Sequence, residues 1–504
     1  MSNFTFRKNY IFLLLLAILT ALFVLSGNIY ILLIIPLFLV VILIHPMYIL
    51  FLIILLNPLS DLLVIKYPSF LNKISIDILI MLFICVVVLR KIVNREKWIS
   101  YPFYKWIFII FIFYIISGLS TWTGLEEFLF MNWIHFRFIY FAIAITLLSY
   151  NNKIFSQFIN LLLIVFIFHI GIGFFQVVGG EWAKNLFYSY GDQFALSFRA
   201  LEFRSYDTAL NFNPARSTYI YSTFYLPGHY GGFLLIMLCL AIGFKLVLGK
   251  MKCNNPFEDI KSFYISMIFR RNIFITLFLL TVILIILTYS RSAYLGLFTL
   301  ISTLIFFSNK PIINNFLYVI GFIIISLLIA NLEIVFDYLK DFQNPAFDMF
   351  DPIGRLFSIF PNYIFENTPR KIAYYDILPI IILQKPLFGL GVTSALNKGK
   401  LLLDSFELNN ALFYVYGDTG IVRIFVEYGV IGTLIFSMLF FSVFRYARIG
   451  YISANSIEYK AICLAVILGI IISIPLNIGT MLMLSKPFGL YLWMLIGFSQ
   501  RWQK

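Results

Sequence analysis

Residues 288–297 read TYSRSAYLGL and set Arg291 between two oily runs, about 272–288 and 292–308. A guanidinium beside hydrocarbon is costly unless something uses it. Ser290 and Ser292 flank it where the second run begins. Serine is a favoured N-cap, and a helix start presents free N–H groups and a partial positive charge. An arginine added there makes an anion site suited to phosphate. An interfacial arginine snorkelling to lipid head groups fits the same spacing.

A second cluster, YGDTGIVRIFVEYG at 416–429, carries Asp418, Arg423 and Glu427. Asp418 could cap a helix, and Arg423 and Glu427, four apart, could pair along it. Either carboxylate could instead take a proton from an attacking hydroxyl. On one regular helix the two lie about 180° apart, so they share a site only if the helix starts after Asp418. Arg216 in FNPARSTYIYS and Arg370 in NTPRKIAYYD are further cations in polar stretches. His229 in LPGHYGG stands at a helix entry, where it could contact a diphosphate or a sugar, whereas His169 lies inside an apolar run as a packed, hydrogen-bonded residue. Asp348 and Asp351 are too ordinary a loop pair to suggest a metal, and the cysteines and histidines show no metal-ligand spacing. No metal and no cofactor are expected.

The elements that must position these groups are membrane helices. The chain is 62% hydrophobic and 12% charged, a balance no soluble domain has, and its apolar runs repeatedly reach spanning length. Nucleic-acid binding drops out. About fourteen spans are expected, with twelve or thirteen also compatible with the crowded first three: 10–26, 29–44, 47–65, 74–90, 103–120, 134–150, 154–177, 228–248, 272–288, 292–308, 313–330, 420–444, 460–477 and 487–499. The chain thus divides into N-terminal spans (1–177), an outer loop (178–227), central spans with the Ser-Arg-Ser stretch (228–330), a large outer loop (331–419) and C-terminal spans (420–504).

Charge sets the orientation. With the N-terminus in the cytoplasm, the inside segments collect twenty Lys/Arg and four acids, and the outside segments seventeen and nineteen. Basic residues in short loops face the cytoplasm, so both termini are expected there. The two long loops then face outward, and loops of that size usually carry function. Lys310 follows Arg291 by about 28 Å of helix and Arg445 follows Glu427 by about 27 Å, which puts both residues at the outer boundary of a core about 30 Å thick. Arg137, sixteen residues before Lys153, is expected at the same level.

Four stretches in this order resemble the O-antigen ligase and polymerase superfamily. TYSRSAYLGL (288–297) is similar to its serine–arginine–serine helix start. PRKIAYYDILPIIILQKPLFGLG (369–391) resembles its later signature, ending in Pro386, Gly389 and Gly391. YGDTGIVRIFVEYGVIG (416–432) and RSTYIYSTFYLPGHYGG (216–232) resemble the segment that follows and the earlier arginine-bearing entry to a span. The resemblance implies an all-α, GT-C-like polytopic fold in a bacterial inner membrane. It implies metal-independent transfer of a glycan from a polyprenyl diphosphate to an acceptor hydroxyl at the outer face. Arg291, Arg216 and Arg370 would bind the diphosphate, Asp418 or Glu427 would be the base, and His229, Arg423, Tyr289, Ser290 and Ser292 would add substrate contacts.

Family ligases, which transfer to lipid A–core, typically carry histidine near the position of Asp418, and no histidine follows His229 here. That departure points to a Wzy-type polymerase making O-antigen, capsule or another exopolysaccharide. A chain-length regulator is a further candidate partner. The alternatives are a ligase and a non-enzymatic exporter of lipid-linked glycans.

Overall fold

A computed structural model describes residues 46–60, 62, 70–96, 100–120, 124–150, 152–187, 222–224, 227–250, 271–288, 290–307, 378–391, 420–479 and 486–501. The spans expected at 10–26, 29–44 and 313–330 lie outside these residues. The helices are α1 (Pro46–Leu56), α2 (Phe70–Val93), α3 (Pro102–Ser120), α4 (Leu125–Leu147), α5 (Asn152–Phe187) and α6 (Pro227–Lys250). They continue as α7 (Arg271–Leu287), α8 (Arg291–Phe307), α9 (Leu378–Gln384), α10 (Gly420–Ser453), α11 (Ile457–Gly479) and α12 (Lys486–Ser499). No strand occurs among the described residues. In lipid every backbone N–H and C=O must be paired within the chain, and a helix does this without a neighbour.

The protein is an all-α, polytopic membrane protein. Among the described residues six helices are long and apolar enough to cross a bilayer, and α1, α7, α8 and α12 supply shorter apolar stretches. The spans expected at 228–248 and 292–308 match α6 and α8 within two residues. α4 differs, starting at Leu125 rather than 134, with Glu126 in its first turn, where a carboxylate suits a helix N-terminus.

Burial ranks the helices. In α6 89% of the span is buried, whereas in α10 33% is, so α6 lies inside the bundle and α10 turns a broad face to lipid. α11 is the hub, packing on α6, α8, α10 and α12. Its approach to α6 is close enough that a Cβ on Gly243 would stand 2.5 Å from the Ala461 carbonyl oxygen. Small residues at such a crossing let two backbones meet, which drives packing where lipid removes the hydrophobic effect.

The bundle has two distinct ends. At one, Lys91 Nζ lies 3.0 Å from Glu96 Oε2, and Ser149 Oγ donates to the same oxygen at 2.9 Å. The Arg501 guanidinium donates to the Leu148 carbonyl and sits 4.1 Å over the Tyr150 ring. At the other end α6, α8 and α10 begin and α11 finishes. There Gln176 and His169 of α5 hold the short turn at 222–224: Ser222 N donates to Gln176 Oε1 at 2.8 Å, and His169 Nδ1 lies 3.0 Å from Ser222 Oγ. His169 is thus packed and hydrogen-bonded, as its apolar setting suggested.

Candidate functional site

The Ser-Arg-Ser stretch forms the turn between α7 and α8. Arg291 is the first residue of α8, and Ser290 is its N-cap, accepting from Ala293 N at 3.4 Å through Oγ while its carbonyl accepts from Tyr294 N at 3.0 Å. Ser292 Oγ lies 3.3 Å from Ser290 Oγ. The start of α6 packs on this turn. A Cβ on Gly228 would stand 3.3 Å from Ser290 Oγ, and one on Gly231 2.6 Å from the Ala293 Cβ. His229, between those glycines, is therefore brought beside the Ser-Arg-Ser turn and is half-buried. The side chain of Arg291, and residues Arg216, Arg370, Asp418 and Tyr289, lie outside what the structure describes.

α10 enters at the same end. Its first residue, Gly420, rests on Asn477 near the end of α11, and Gly296 of α8 rests on Leu476, one residue away. The described part of α10 opens at Gly420, and Asp418 lies outside the described residues.

α10 is not continuous. At Gly429 the backbone turns to φ 63°, ψ −164°, which splits off a half-helix, Gly420–Tyr428. A break costs two i→i−4 bonds, freeing the carbonyls of Val426 and Glu427 and the N–H groups of Val430 and Ile431. The segment after α9 pairs all four. Leu390 N donates to Val426 O at 2.7 Å and Gly391 N to Glu427 O at 3.1 Å. Val430 N donates to Pro386 O at 2.8 Å and Ile431 N to Leu387 O at 3.2 Å. Residues 386–391 thus form a strap across the break. Gly389 (φ 67°) and Gly429 face each other so closely that a Cβ on either would stand 2.5 Å from opposing backbone oxygen. Phe388 holds the strap to α3 by stacking on Phe113, with ring centroids 5.8 Å apart.

The half-helix itself carries a buried charged cluster. Arg423 Nε donates to Glu427 Oε1 at 2.8 Å, so the i,i+4 pairing anticipated from the sequence forms. His135 of α4 joins it: Arg423 Nη2 lies 3.3 Å from His135 Nε2, Tyr428 Oη 2.9 Å from His135 Nδ1, and Glu427 Oε2 3.5 Å from that same Nδ1. Glu427 is 1% exposed and Arg423 8%. Nearby, Arg137 pairs with Asp77 of α2 at 2.8 Å.

Arg137 falls near the middle of the apolar stretch 128–147 of α4, and Glu427 five residues after Val422 in α10; each meets an opposite charge from its own or a neighbouring helix. His135 carries no motif around it, and its partners stand 288 and 293 residues away in the chain. An ionisable side chain within a span was the available signal.

Residues 276–437 match the family model described as O-antigen ligase, Wzy_C. The match supports the O-antigen ligase/polymerase superfamily for this central segment. The match runs from α7 to the middle of α10 and takes in the Ser-Arg-Ser turn, the strap and the half-helix. Glycosyltransferase-like processing of a lipid-linked glycan within the bilayer is the activity of this superfamily. No curated protein matches the chain.

Proposed function

We propose that this Wzy_C-type protein is a polysaccharide polymerase. It transfers a growing glycan from a polyprenyl diphosphate to the non-reducing end of a lipid-linked repeat unit at the outer face of the inner membrane. The observation that carries the reading is the convergence of four motif segments in two contacts: the α6 entry on the Ser-Arg-Ser turn, and the strap on the half-helix. The bundle end opposite the Ser-Arg-Ser turn holds Lys91 and Arg501, in keeping with a cytoplasmic face.

The leaving diphosphate gains negative charge in the transition state. Fixed cations and a capped helix start can stabilise that charge without a metal. Arg291 is assigned this task, and Arg216 and Arg370 share the assignment; Ser290, Ser292, Tyr289 and His229 are assigned further substrate contacts. Asp418, just before the half-helix, is assigned as the base that takes the acceptor hydroxyl proton. Glu427, committed to Arg423, is assigned the structural role, and Arg423 with it. Aspartate in place of the ligase histidine favours polymerase over ligase.

A second reading draws on α10. A broken helix beside buried charges is also a transporter device. Against it, all four backbone groups freed at Gly429 are paired with the strap rather than left to coordinate a passing substrate.

Purified protein in proteoliposomes, given lipid-linked repeat unit, should yield a ladder of longer products. A single transfer to lipid A–core would establish the ligase, and unchanged units moved across the vesicle wall would establish the exporter. Arg291→Ala should abolish the ladder while the protein stays in the membrane.

A further inference from the structure

His135 touches the half-helix at both signs of its charge. Arg423 Nη2 approaches one ring nitrogen at 3.3 Å, and Tyr428 Oη approaches the other at 2.9 Å. A guanidinium has only donors, so Nε2 must accept and the proton of a neutral ring sits on Nδ1. From there it points to Tyr428 Oη, with Glu427 Oε2 a little farther at 3.5 Å. All four residues are buried, so no water replaces a lost partner at low cost.

The two contacts lie five residues apart on the half-helix. A slip of one residue moves each by about 1.5 Å and 100° and breaks both. The strap holds the lower end of the half-helix through backbone bonds, and Gly420 rests on Asn477 at the upper end. His135 adds side-chain contacts between those backbone anchors.

We propose that His135 is a positioning residue for glycan transfer, setting through Arg423 and Tyr428 the rotation and height of the half-helix that enters the site at Gly420. This rests on reading the chain as a lipid-linked glycan transferase. Misplacement of a reacting group by about 1 Å can cost on the order of a hundredfold in rate.

The test uses full-length protein in proteoliposomes with lipid-linked repeat unit extracted from cells that make the polymer. His135→Gln keeps one acceptor and one donor on a side chain of similar size; His135→Leu fills the space with neither. The Leu variant should lose at least about tenfold in kcat, with KM for the lipid-linked unit within about twofold, because the lost interaction serves the transition state. The Gln variant should recover kcat to within about threefold of the parent. A parent-like kcat in the Leu variant, equal losses in both variants, or a loss confined to KM would overturn the proposal. Should the Leu variant not fold, Tyr428→Phe decides: it removes one contact and should lower kcat at least about threefold, and a parent-like kcat would overturn the proposal. An inactive parent overturns the transferase reading as well; an active parent with a fully active Leu variant overturns this inference alone.

Discussion

Gly429→Ala is the sharpest perturbation the architecture offers. At φ 63°, ψ −164° the backbone occupies a region open essentially to glycine, and forcing alanine into it costs about 1–3 kcal/mol. The added Cβ would also stand 2.5 Å from the Leu387 carbonyl carbon and oxygen and 2.6 Å from Gly389 N. These are backbone atoms already fixed by hydrogen bonds, so relief requires the strap to lift. Each of the four bonds it makes contributes about 0.5–1.5 kcal/mol net, and more where a buried group is left unpaired. A local destabilisation of about 3 kcal/mol is therefore the lower expectation, equivalent to about a hundredfold in an opening equilibrium. Amide hydrogen exchange reports that opening directly. In Gly429→Ala the amides of Leu390, Gly391, Val430 and Ile431 should exchange about a hundredfold faster, while those in α6 keep their protection. Unchanged exchange at these four would mean that the break and the strap do not depend on one another, and the argument would fail.

Other perturbations probe separate parts. Glu427→Leu removes the carboxylate from buried Arg423 and should destabilise by about 3–5 kcal/mol, while adding Arg423→Met should recover most of that; a double variant no better than the single one would refute the pairing argument. Ser290→Ala removes a long cap bond and should cost about 0.5–1 kcal/mol, read as faster exchange at the Ala293 amide. Hydrogen bonds from Lys91 and then Ser149 hold the Glu96 carboxyl below its usual range. Its contribution is present above the unfolded value of about 4.3 and is lost as pH falls through the lowered folded value, so Glu96→Gln should reduce thermal stability at pH 7, by an amount that shrinks as the pH is taken down through that value. Transfer should persist in a chelator; loss of activity restored by a divalent ion would refute the metal-free mechanism.

Much of the architecture was legible because lipid simplifies the code. Apolar runs bounded by Arg90, Lys250 and Arg271 gave the helices directly, since a spanning segment has no alternative to internal pairing. The N-cap at Ser290 was readable for the same local reason. The break in α10 was not. Gly429 stands two residues after Glu427, where an apolar run resumes, and it meets a strap some forty residues earlier in the chain. The sequence showed Pro386, Gly389 and Gly391 as a pattern, but backbone-to-backbone pairing leaves no periodic trace. His135 was hidden because its counterparts lie almost three hundred residues away.

The central position of α11 bears on biogenesis. This helix is synthesised after α6, α8 and α10, yet all three rest on it. At about 5–20 residues per second, on the order of 10–45 s separate completion of Lys250 from that of Gly479. During that interval the small-residue groove around Gly243 waits in the bilayer for Ala461. Nascent chains stalled upstream of residue 457 would therefore hold inserted but unassembled helices, and an insertase or membrane chaperone would find its client there.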